Sequence, residues 1–360
     1  MTARALYVAG KDMIVDDPKK CLGDYVREHL PDESVLKLIS QIISIDTMNE
    51  TTLELKDDGK VKGSAGNPTE VALLVLNHEL GFDYEDIRNR TRGRSSVGEQ
   101  AEYLGEGKLY GFSSARKMMS WAVPLDDGRY RIYTKGAQEV VLSRCKRYVD
   151  TSGTTKDLTP QDVEEFMTHS NIYARRGMRT LALAYGDLPA GTDLEMISKS
   201  IKNSDGTFAF QVETDLVAVC LVGIEDPLRP DVPDAIEKCY GAGIDVRMVT
   251  GDNPNTAVSI AYQAGILRDF HFKEGTTERV ASNLKENVLM TGEVFRQKVK
   301  PAKTNENGEV LKPEFDQSEF DKIWPFLRVL ARSSPEGKLH GEFVGSCKFS
   351  RHPEENSFST

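Results

Sequence analysis

Residues 246–257 read Val-Arg-Met-Val-Thr-Gly-Asp-Asn-Pro-Asn-Thr-Ala, and this stretch decides the fold of the carboxyl-terminal half. Its apolar start predicts a buried strand, and Asp252 or Asn253 followed by Pro254 predicts the beginning of a helix. A hydroxyl, backbone N–H groups and a carboxylate then lie at the carboxyl end of a parallel strand. Open α/β sheets bind ligands there, and a helix N-terminus favours phosphate. Taken alone, the same residues are equally compatible with a plain turn and helix cap.

The pattern around this stretch predicts two domains. Leu216–Ile224 is a continuous apolar run typical of a strand buried on both faces, and strands and helices alternate after it, which indicates a parallel sheet. Before it, Asp126-Asp127-Gly128 separates two strand-like segments and indicates an antiparallel hairpin. We therefore expect an α+β domain over residues 1–215 and an α/β, Rossmann-like domain over residues 216–338. The second domain carries a polar insertion at about 270–320, and a polar tail of no recognised kind follows over residues 339–360.

Two helix starts in the first domain are visible locally. Asp32 precedes an apolar-periodic segment that extends to Ser44, and Pro68 precedes another at residues 69–79. Both residue types are favoured at the first positions of helices.

Composition restricts the possible functions. The chain has 360 residues, 39% hydrophobic and 28% charged, which is enough material for two packed cores. Its formal net charge of -10 argues against nucleic acid as a partner, because binding a phosphate backbone needs a clustered basic surface. No apolar run approaches the roughly 20 residues that span a bilayer, so we expect no direct membrane insertion. Five widely spaced cysteines without a C-x-x-C pattern are typical of reduced cytosolic thiols.

A second group of residues has the chemistry of a nucleotide pocket. Phe112-Ser-Ser-Ala-Arg116-Lys117-Met-Met119 is followed by Lys135-Gly136-Ala137 at the end of the next hairpin strand. An aromatic face suits a purine base, and lysines suit phosphates. A core phenylalanine beside solvated basic residues is the alternative interpretation. The chain has neither the P-loop pattern G-x-x-x-x-G-K-[ST] nor a D-x-D acid pair.

Two further strand ends carry charged residues. Asp226-Pro-Leu-Arg229-Pro directly follows the long apolar run, and its two prolines suit either a hinge or a plain loop. Ala331-Arg332-Ser-Ser-Pro335-Glu-Gly-Lys338 ends another predicted strand with two cations, which could face the same crevice as Thr250.

In this order and spacing, the segments resemble the cytosolic loop of P-type ATPases, and most closely that of plasma-membrane-type calcium pumps. The segments that carry the resemblance are Gly66-Asn-Pro-Thr-Glu70, Arg131-Ile-Tyr-Thr-Lys135-Gly-Ala, Gly223-Ile-Glu-Asp-Pro-Leu-Arg-Pro, Val246-Arg-Met-Val-Thr-Gly-Asp-Asn and Ile323-Trp-Pro-Phe-Leu-Arg-Val-Leu-Ala-Arg-Ser-Ser-Pro335. The resemblance implies ATP and Mg²⁺ as cofactors and a haloacid-dehalogenase-like parallel sheet. It implies a parent pump that exports Ca²⁺ through an aspartyl phosphate. It also implies a place at the cytosolic face of the plasma membrane or of an internal calcium store, with the actuator and transmembrane regions as partners.

Site residues are implied by position in the same way. The nucleotide-binding residues are Glu70, Phe112, Lys117, Met119, Lys135, Gly136, Arg179 and Arg332. The phosphoryl site comprises Thr250, Gly251, Asp252 and Lys338, and the hinge comprises Asp226 and Arg229. Phe112 would stack on adenine, Arg179 would reach the phosphates, and Lys338 would lie near the γ-phosphate.

The sequence also departs from the family pattern. The Asp-Lys-Thr-Gly-Thr motif with its phosphorylated aspartate is expected before Met1, and the Mg²⁺-holding Gly-Asp-Gly-x-Asn-Asp motif is expected after Lys338, but neither occurs. We therefore expect a fragment with an incomplete parallel sheet, no metal ligands of its own and no catalytic turnover by itself. The alternatives are a non-catalytic nucleotide- or partner-binding fragment and a pump for another cation.

Overall fold

The computed structural model describes residues 1–30, 32–57, 59–92, 107–113, 116–202, 208–301 and 315–333. The helices are α1 (Leu22–His29), α2 (Glu33–Ile45), α3 (Pro68–Glu79), α4 (Tyr84–Arg92), α5 (Gln138–Leu142), α6 (Pro160–Arg175), α7 (Val232–Gly241), α8 (Pro254–Gln263), α9 (Gly292–Val299) and α10 (Gln317–Ile323). Within these described ranges, no helix has the length and apolar character needed to cross a membrane.

The strands divide between one large sheet and smaller ones. They are β1 (Thr2–Val8), β2 (Lys11–Ile14), β3 (Thr52–Leu55), β4 (Val61–Ala65), β5 (Lys108–Tyr110), β6 (Met118–Pro124), β7 (Tyr130–Ala137), β8 (Cys145–Val149), β9 (Thr155–Asp157), β10 (Met178–Leu188), β11 (Ser200–Lys202), β12 (Phe208–Phe210), β13 (Leu216–Glu225), β14 (Met248–Val249), β15 (Leu289–Thr291) and β16 (Val329–Ala331).

Nine of the described strands form the large sheet. Its main path runs β2-β1-β13-β10-β7-β6-β5, with antiparallel pairing at every step, and β8 and β9 attach beside β13. Helices α1 to α4 supply buried side chains to one face. Helices α5 and α6 cover the other face. The sequence-based prediction of an antiparallel-sheet domain with helices is confirmed.

Strand β13 lies at the centre of this sheet, which corrects one expectation. It pairs antiparallel with β1 and β10, and all its residues except the last are buried. A continuous apolar run is needed by any strand that is covered on both faces, so the run alone does not distinguish parallel from antiparallel neighbours. The prediction that residues 216–224 begin the parallel sheet is therefore wrong. We propose that the chain divides at Asp226 and not at residue 215.

The later part of the chain forms the expected small parallel sheet, in the order β14-β16-β15. Helix α8 packs against it, and Val258 and Ala261 are fully buried beside Val329. Strand β15 lies inside the segment predicted to be a polar insertion. That prediction is wrong for residues 289–299, which form a sheet strand and helix α9.

Strand β14 is an edge of the small sheet among the described residues. It is two residues long, Val249 is 43% exposed, and α7 contains no buried residue. The large sheet, in contrast, is packed on both faces. Regions with few buried apolar contacts open at a low free-energy cost, so local stability should differ between the two parts.

We expect limited proteolysis to cleave the region 226–333 before the large sheet. Peptides should be identified by mass spectrometry at successive times, and the earliest cuts should fall around α7 and β14. Early products that begin or end inside β10 or β13 would contradict this prediction, because those strands occupy the centre of the large sheet.

Candidate functional site

The start of helix α3 brings an acidic side chain into the interior. Gly66 has a φ of 95°, and a Cβ there would lie 2.4 Å from Thr51 Oγ1, so only glycine fits. The Asn67 side chain caps the helix, and Pro68 occupies its first turn. As a result Glu70, at the third helical position, points toward the large sheet and is only 4% exposed.

Glu70 forms a buried ion pair with a second residue predicted for the site. Its Oε1 lies 2.9 Å from Lys135 Nζ on β7, and Lys135 also donates to the Asp46 carbonyl. The Thr51 hydroxyl donates to Glu70 Oε2 at 2.6 Å. Met119, directly across from Lys135 on β6, places its sulfur 3.7 Å from the same ammonium group. The structure thus brings together Glu70, Lys135 and Met119, as predicted.

The surroundings of Glu70 favour its charged form. Burial by itself would raise the pKa of Glu70, but the positive charge of Lys135 and the hydrogen bonds from Thr51, Lys135 and the Met48 N–H outweigh burial, so that its pKa lies below the ordinary glutamate value. A buried ion pair is weak evidence for stability, but removal of one partner is costly because the other charge stays buried.

An exposed aromatic ring lies at the same end of the sheet. Phe112 follows β5, whose pairing with β6 directs the chain toward Met119, and its side chain is 65% exposed. The described part of this turn comprises residues 111–113 and 116–117. Lys117 has a φ of 55°, and its carbonyl accepts from the Ala137 N–H at 2.9 Å. Gly136 faces this turn, and a Cβ there would lie 2.6 Å from the Lys117 carbonyl oxygen. A larger residue at position 136 would push the turn away from β7.

A second cluster forms where the two sheets meet. Arg179 Nη2 lies 3.3 Å from Asp226 Oδ2, and Arg179 Nε lies 3.2 Å from Asp252 Oδ1. The other oxygen of Asp252 accepts from the Thr250 hydroxyl at 2.7 Å. Three predicted elements, namely the arginine, the hinge and the Thr-Gly-Asp turn, therefore contact one another through a single guanidinium group.

The backbone around Thr250 has the expected strand-to-helix geometry. Of the two predicted caps, Asn253 is the N-cap of α8, and its side chain accepts from the Thr256 N–H at 3.0 Å. Gly251 lies in the turn, where a Cβ would have nothing closer than the Ser333 carbonyl at 3.9 Å. The turn therefore offers an open approach at the start of a ten-residue helix.

Two cations, Arg332 and Lys338, were predicted at the end of the neighbouring strand. The Arg332 N–H donates to the Asp252 carbonyl at 3.0 Å, but its side chain pairs with Glu139, in the first turn of α5. It therefore links the Thr-Gly-Asp turn to α5, and its side chain does not face Thr250 as expected. Lys338 lies outside the described residues. Arg229, in the predicted hinge, is exposed.

The donors near Thr250 do not match a divalent cation in this arrangement. Among the residues that the structure describes, no group of three or more His, Cys, Asp or Glu side chains could hold a metal ion. Asp252 is engaged by the Thr250 hydroxyl and Arg179. Mg²⁺ needs a near-octahedral oxygen shell, which these groups do not supply.

Sequence reasoning missed two carboxylates that bind cations of the predicted segments. Glu213 is fully buried and binds Arg116, and Glu139 binds Arg332. Arg116 stands inside the segment that the sequence singled out, but a motif does not reveal which of two adjacent cations is buried. Glu213 and Asp215 both stand just before β13, so an acidic residue before an apolar run is the only local signal that Glu213 gives.

Comparison with known proteins agrees with this arrangement. The family model described as "P-type ATPase, cytoplasmic domain N" matches residues 39–231. Plasma membrane calcium-transporting ATPase 1 of Homo sapiens is 38% identical over 315 residues, which cover 86% of this chain and 22% of that protein. Plasma membrane calcium-transporting ATPase 2 of Oreochromis mossambicus is 36% identical over 327 residues, covering 88% of this chain and 25% of that protein.

A third relative, plasma membrane calcium-transporting ATPase 3 of Homo sapiens, is 34% identical over 327 residues, covering 88% of this chain and 23% of that protein. The chain therefore spans about a quarter of the length of the curated relatives it matches. The family model covers more than half of the chain, and the segments it covers include the Glu70–Lys135 pair and Arg179. This chain belongs to the P-type ATPase family and carries its cytoplasmic domain N.

Proposed function

We propose that this chain binds ATP between the exposed ring of Phe112 and the cation cluster around Arg179. It would thereby act as the nucleotide-binding region, and part of the phosphoryl-transfer region, of a calcium-transporting P-type ATPase. The observation that carries the proposal is the convergence of predicted residues into two adjoining clusters, one on the large sheet and one at the Thr-Gly-Asp turn.

The first cluster suits a purine base. Phe112 offers a solvent-exposed ring face, and Met119 and Lys135 lie buried together at the same end of the sheet, where they would support the pocket from beneath. Glu70 holds the Lys135 ammonium group, so the lysine is fixed in one position before ligand arrives. Lys117 and Gly136 are assigned to the edge of this pocket because they set the position of the turn.

The second cluster suits the phosphates. The Arg179 guanidinium is partly exposed, and its fork geometry suits bidentate binding of phosphate oxygens. In this structure the carboxylates of Asp226 and Asp252 occupy that fork, and a triphosphate would replace them as its partner. Thr250 and Gly251 would face the transferred phosphoryl group at the start of α8, and Lys338 would add charge nearby. Phosphoryl transfer depends largely on such positioning and on electrostatic stabilisation.

At the level of the whole protein, we propose ATP-driven Ca²⁺ transport through an aspartyl phosphate. Calcium is proposed because the relatives are named calcium-transporting ATPases of the plasma membrane. The proposed location is the cytosolic face of the plasma membrane or of an internal calcium store, and the proposed partners are actuator and transmembrane regions. Mg²⁺ would come with ATP, bound to its phosphates.

Replacing Phe112 by alanine tests the base pocket. We expect weak ATP binding by the wild-type chain, with a dissociation constant of about 1 mM or somewhat below. Loss of the stacking face should weaken binding by about 0.5–1.5 kcal/mol beyond the lost contact area, or roughly two- to tenfold. The measurement is a calorimetric titration of ATP into each variant.

Phe270→Ala is the matched control, because Phe270 is 64% exposed and lies on the small-sheet side of the chain, in the helical turn Asp269–His271. Its replacement should leave ATP affinity unchanged. Equal affinities for the wild type and Phe112→Ala would refute the assignment of the ring to the base.

A further inference from the structure

A second buried ion pair lies on the opposite face of the large sheet from Glu70. Arg116 and Glu213 pair directly, with side chains 7% and 0% exposed. Glu213 is fully bonded: Oε1 also accepts from the Ser120 hydroxyl at 2.6 Å, and Oε2 accepts from the Phe210 N–H at 2.9 Å. The Arg116 guanidinium lies 4.4 Å from the centroid of the Phe210 ring. This pair is therefore anchored to the sheet and to the segment that precedes β13.

The free end of the same guanidinium reaches the turn that carries Phe112. Arg116 Nη1 donates to the Gly111 carbonyl, at the residue immediately before Phe112. The backbone of Arg116 and that of Lys117 both donate to the Ser113 carbonyl, at 3.1 and 2.7 Å, which closes the turn. One arginine thus connects a fully buried carboxylate to the backbone beside the exposed ring.

We propose that Arg116 and Glu213 are positioning residues that hold the backbone of Gly111–Ser113, beside and including Phe112, in the conformation that binds nucleotide. Neither side chain needs to touch the ligand. This inference rests on the proposed function, and it adds a specific origin for the affinity of the base pocket, since a turn that is ordered beforehand loses less conformational entropy on binding.

The buried location explains why a charged pair serves this purpose. A donor to the Gly111 carbonyl can hold the backbone only if the donor itself has a fixed position. Glu213 fixes Arg116, because it accepts from Nη2 of the guanidinium while Nη1 donates to the Gly111 carbonyl. Burial lowers the pKa of Arg116, and the negative charge of Glu213 opposes that effect. A lysine at position 116 would have a single ammonium group in place of the planar guanidinium, so it would not bind Glu213 and the Gly111 carbonyl in this geometry at once.

The decisive variant replaces both charges together, as Arg116→Met with Glu213→Gln. Replacement of a buried ion pair by hydrophobic residues of similar volume is often neutral for stability. Methionine supplies such a side chain, and glutamine keeps an oxygen that can accept from the Ser120 hydroxyl or the Phe210 N–H, so we expect a melting temperature near that of the wild type. The Gly111 carbonyl nevertheless loses its donor. If the turn is then in the binding conformation in about a tenth of molecules, the apparent dissociation constant for ATP rises about tenfold.

Two measurements are made on the double variant, on Arg116→Lys and on a control, Tyr173→Phe. Tyr173 is buried and donates to Asp12 at a distant corner of the same sheet, so its loss perturbs stability alone. Hydrogen exchange of the peptide 108–121 reports the turn without any ligand. Calorimetric titration with ATP reports affinity.

The inference is supported if both Arg116 variants exchange faster in this peptide and bind ATP more weakly, while Tyr173→Phe does neither. Unchanged exchange in the double variant overturns it, as does faster exchange with unchanged ATP affinity. A wild-type chain that does not bind ATP would refute the proposed function and with it the link to affinity. Hydrogen exchange would then still show whether the Arg116–Glu213 pair orders the turn.

Discussion

Replacement of Lys135 by methionine is expected to reduce the free energy of unfolding by about 3–5 kcal/mol, because the variant leaves a buried carboxylate without its cation. Glu70 is 4% exposed, and Lys135 is the cation within ion-pair distance of it, at 2.9 Å. Urea denaturation followed by circular dichroism measures the loss. Lys62→Met is the matched control, since Lys62 pairs with Glu54 at the surface and such pairs contribute about 0–1 kcal/mol.

The same variant should show a distinctive dependence on pH. In the wild type the pKa of Glu70 lies below its ordinary value, so its contribution to stability is present above the unfolded pKa and is lost as the pH falls through the folded pKa. Without Lys135, burial dominates and raises that pKa. The difference in stability between wild type and variant should therefore shrink as the pH falls toward and below the ordinary glutamate range.

A second substitution separates charge from packing. In the double variant Glu70→Gln with Lys135→Met, no charge remains buried in this pair, and most of the lost stability should return. A Lys135→Met variant as stable as the Lys62→Met control, or one whose deficit does not change with pH, would show that the pair does not stabilise the charged state of Glu70.

Local chemistry was sufficient to predict several elements. Asp32 accepts hydrogen bonds from the N–H groups of Ser34 and Val35 at the start of α2, as its position before the apolar period indicated. The turn at residues 126–128 joins β6 to β7. These features depend on residues within a few positions of one another, so a single sequence contains the information that specifies them.

Partners that are distant in sequence were not predictable in this way. The run 216–225 pairs with β1 and β10, more than thirty residues away, and hydrophobicity does not encode which strands adjoin it. For the same reason the sequence placed Arg332 beside Thr250, whereas its side chain pairs with Glu139. Burial likewise distinguishes Arg116 from Lys117, although both are cations in one motif.

The corrected place of β13 explains how the second cluster forms. Residues Arg179 and Ile224 are directly opposite each other in the antiparallel pair of β10 and β13. Asp226, which follows the carboxyl end of β13, therefore lies within ion-pair distance of Arg179. The Thr256 hydroxyl donates to the Met178 carbonyl at 2.9 Å, which brings the start of α8, and with it Asp252, to the same guanidinium. The arginine thus lies where the segment that follows β13 meets the start of α8 beside the small sheet.

Replacement of Arg179 by alanine is accordingly expected to weaken ATP binding roughly ten- to hundredfold. This range corresponds to the loss of one hydrogen bond to a charged group, which contributes about 1.5–3 kcal/mol. Arg179→Lys should be intermediate, because a lysine keeps the charge and loses the fork. Calorimetric titration with ATP measures the effect.

Arg176→Ala is a close control for this substitution. The two side chains are 38% and 39% exposed, but Arg176 pairs with Asp16 and has no contact with the hinge among its described ion pairs. Its replacement should change ATP affinity by less than about twofold, as expected for a surface ion pair.

Titration with adenosine, which has no phosphates, tests whether Arg179 contacts the phosphates of ATP or its base and sugar. If Arg179 binds the phosphates, Arg179→Ala and the wild type should bind adenosine equally, and the difference between them should appear only with ATP. Equal weakening of adenosine and ATP would instead mean that the substitution disturbs the base pocket, and the phosphate role of Arg179 would be wrong.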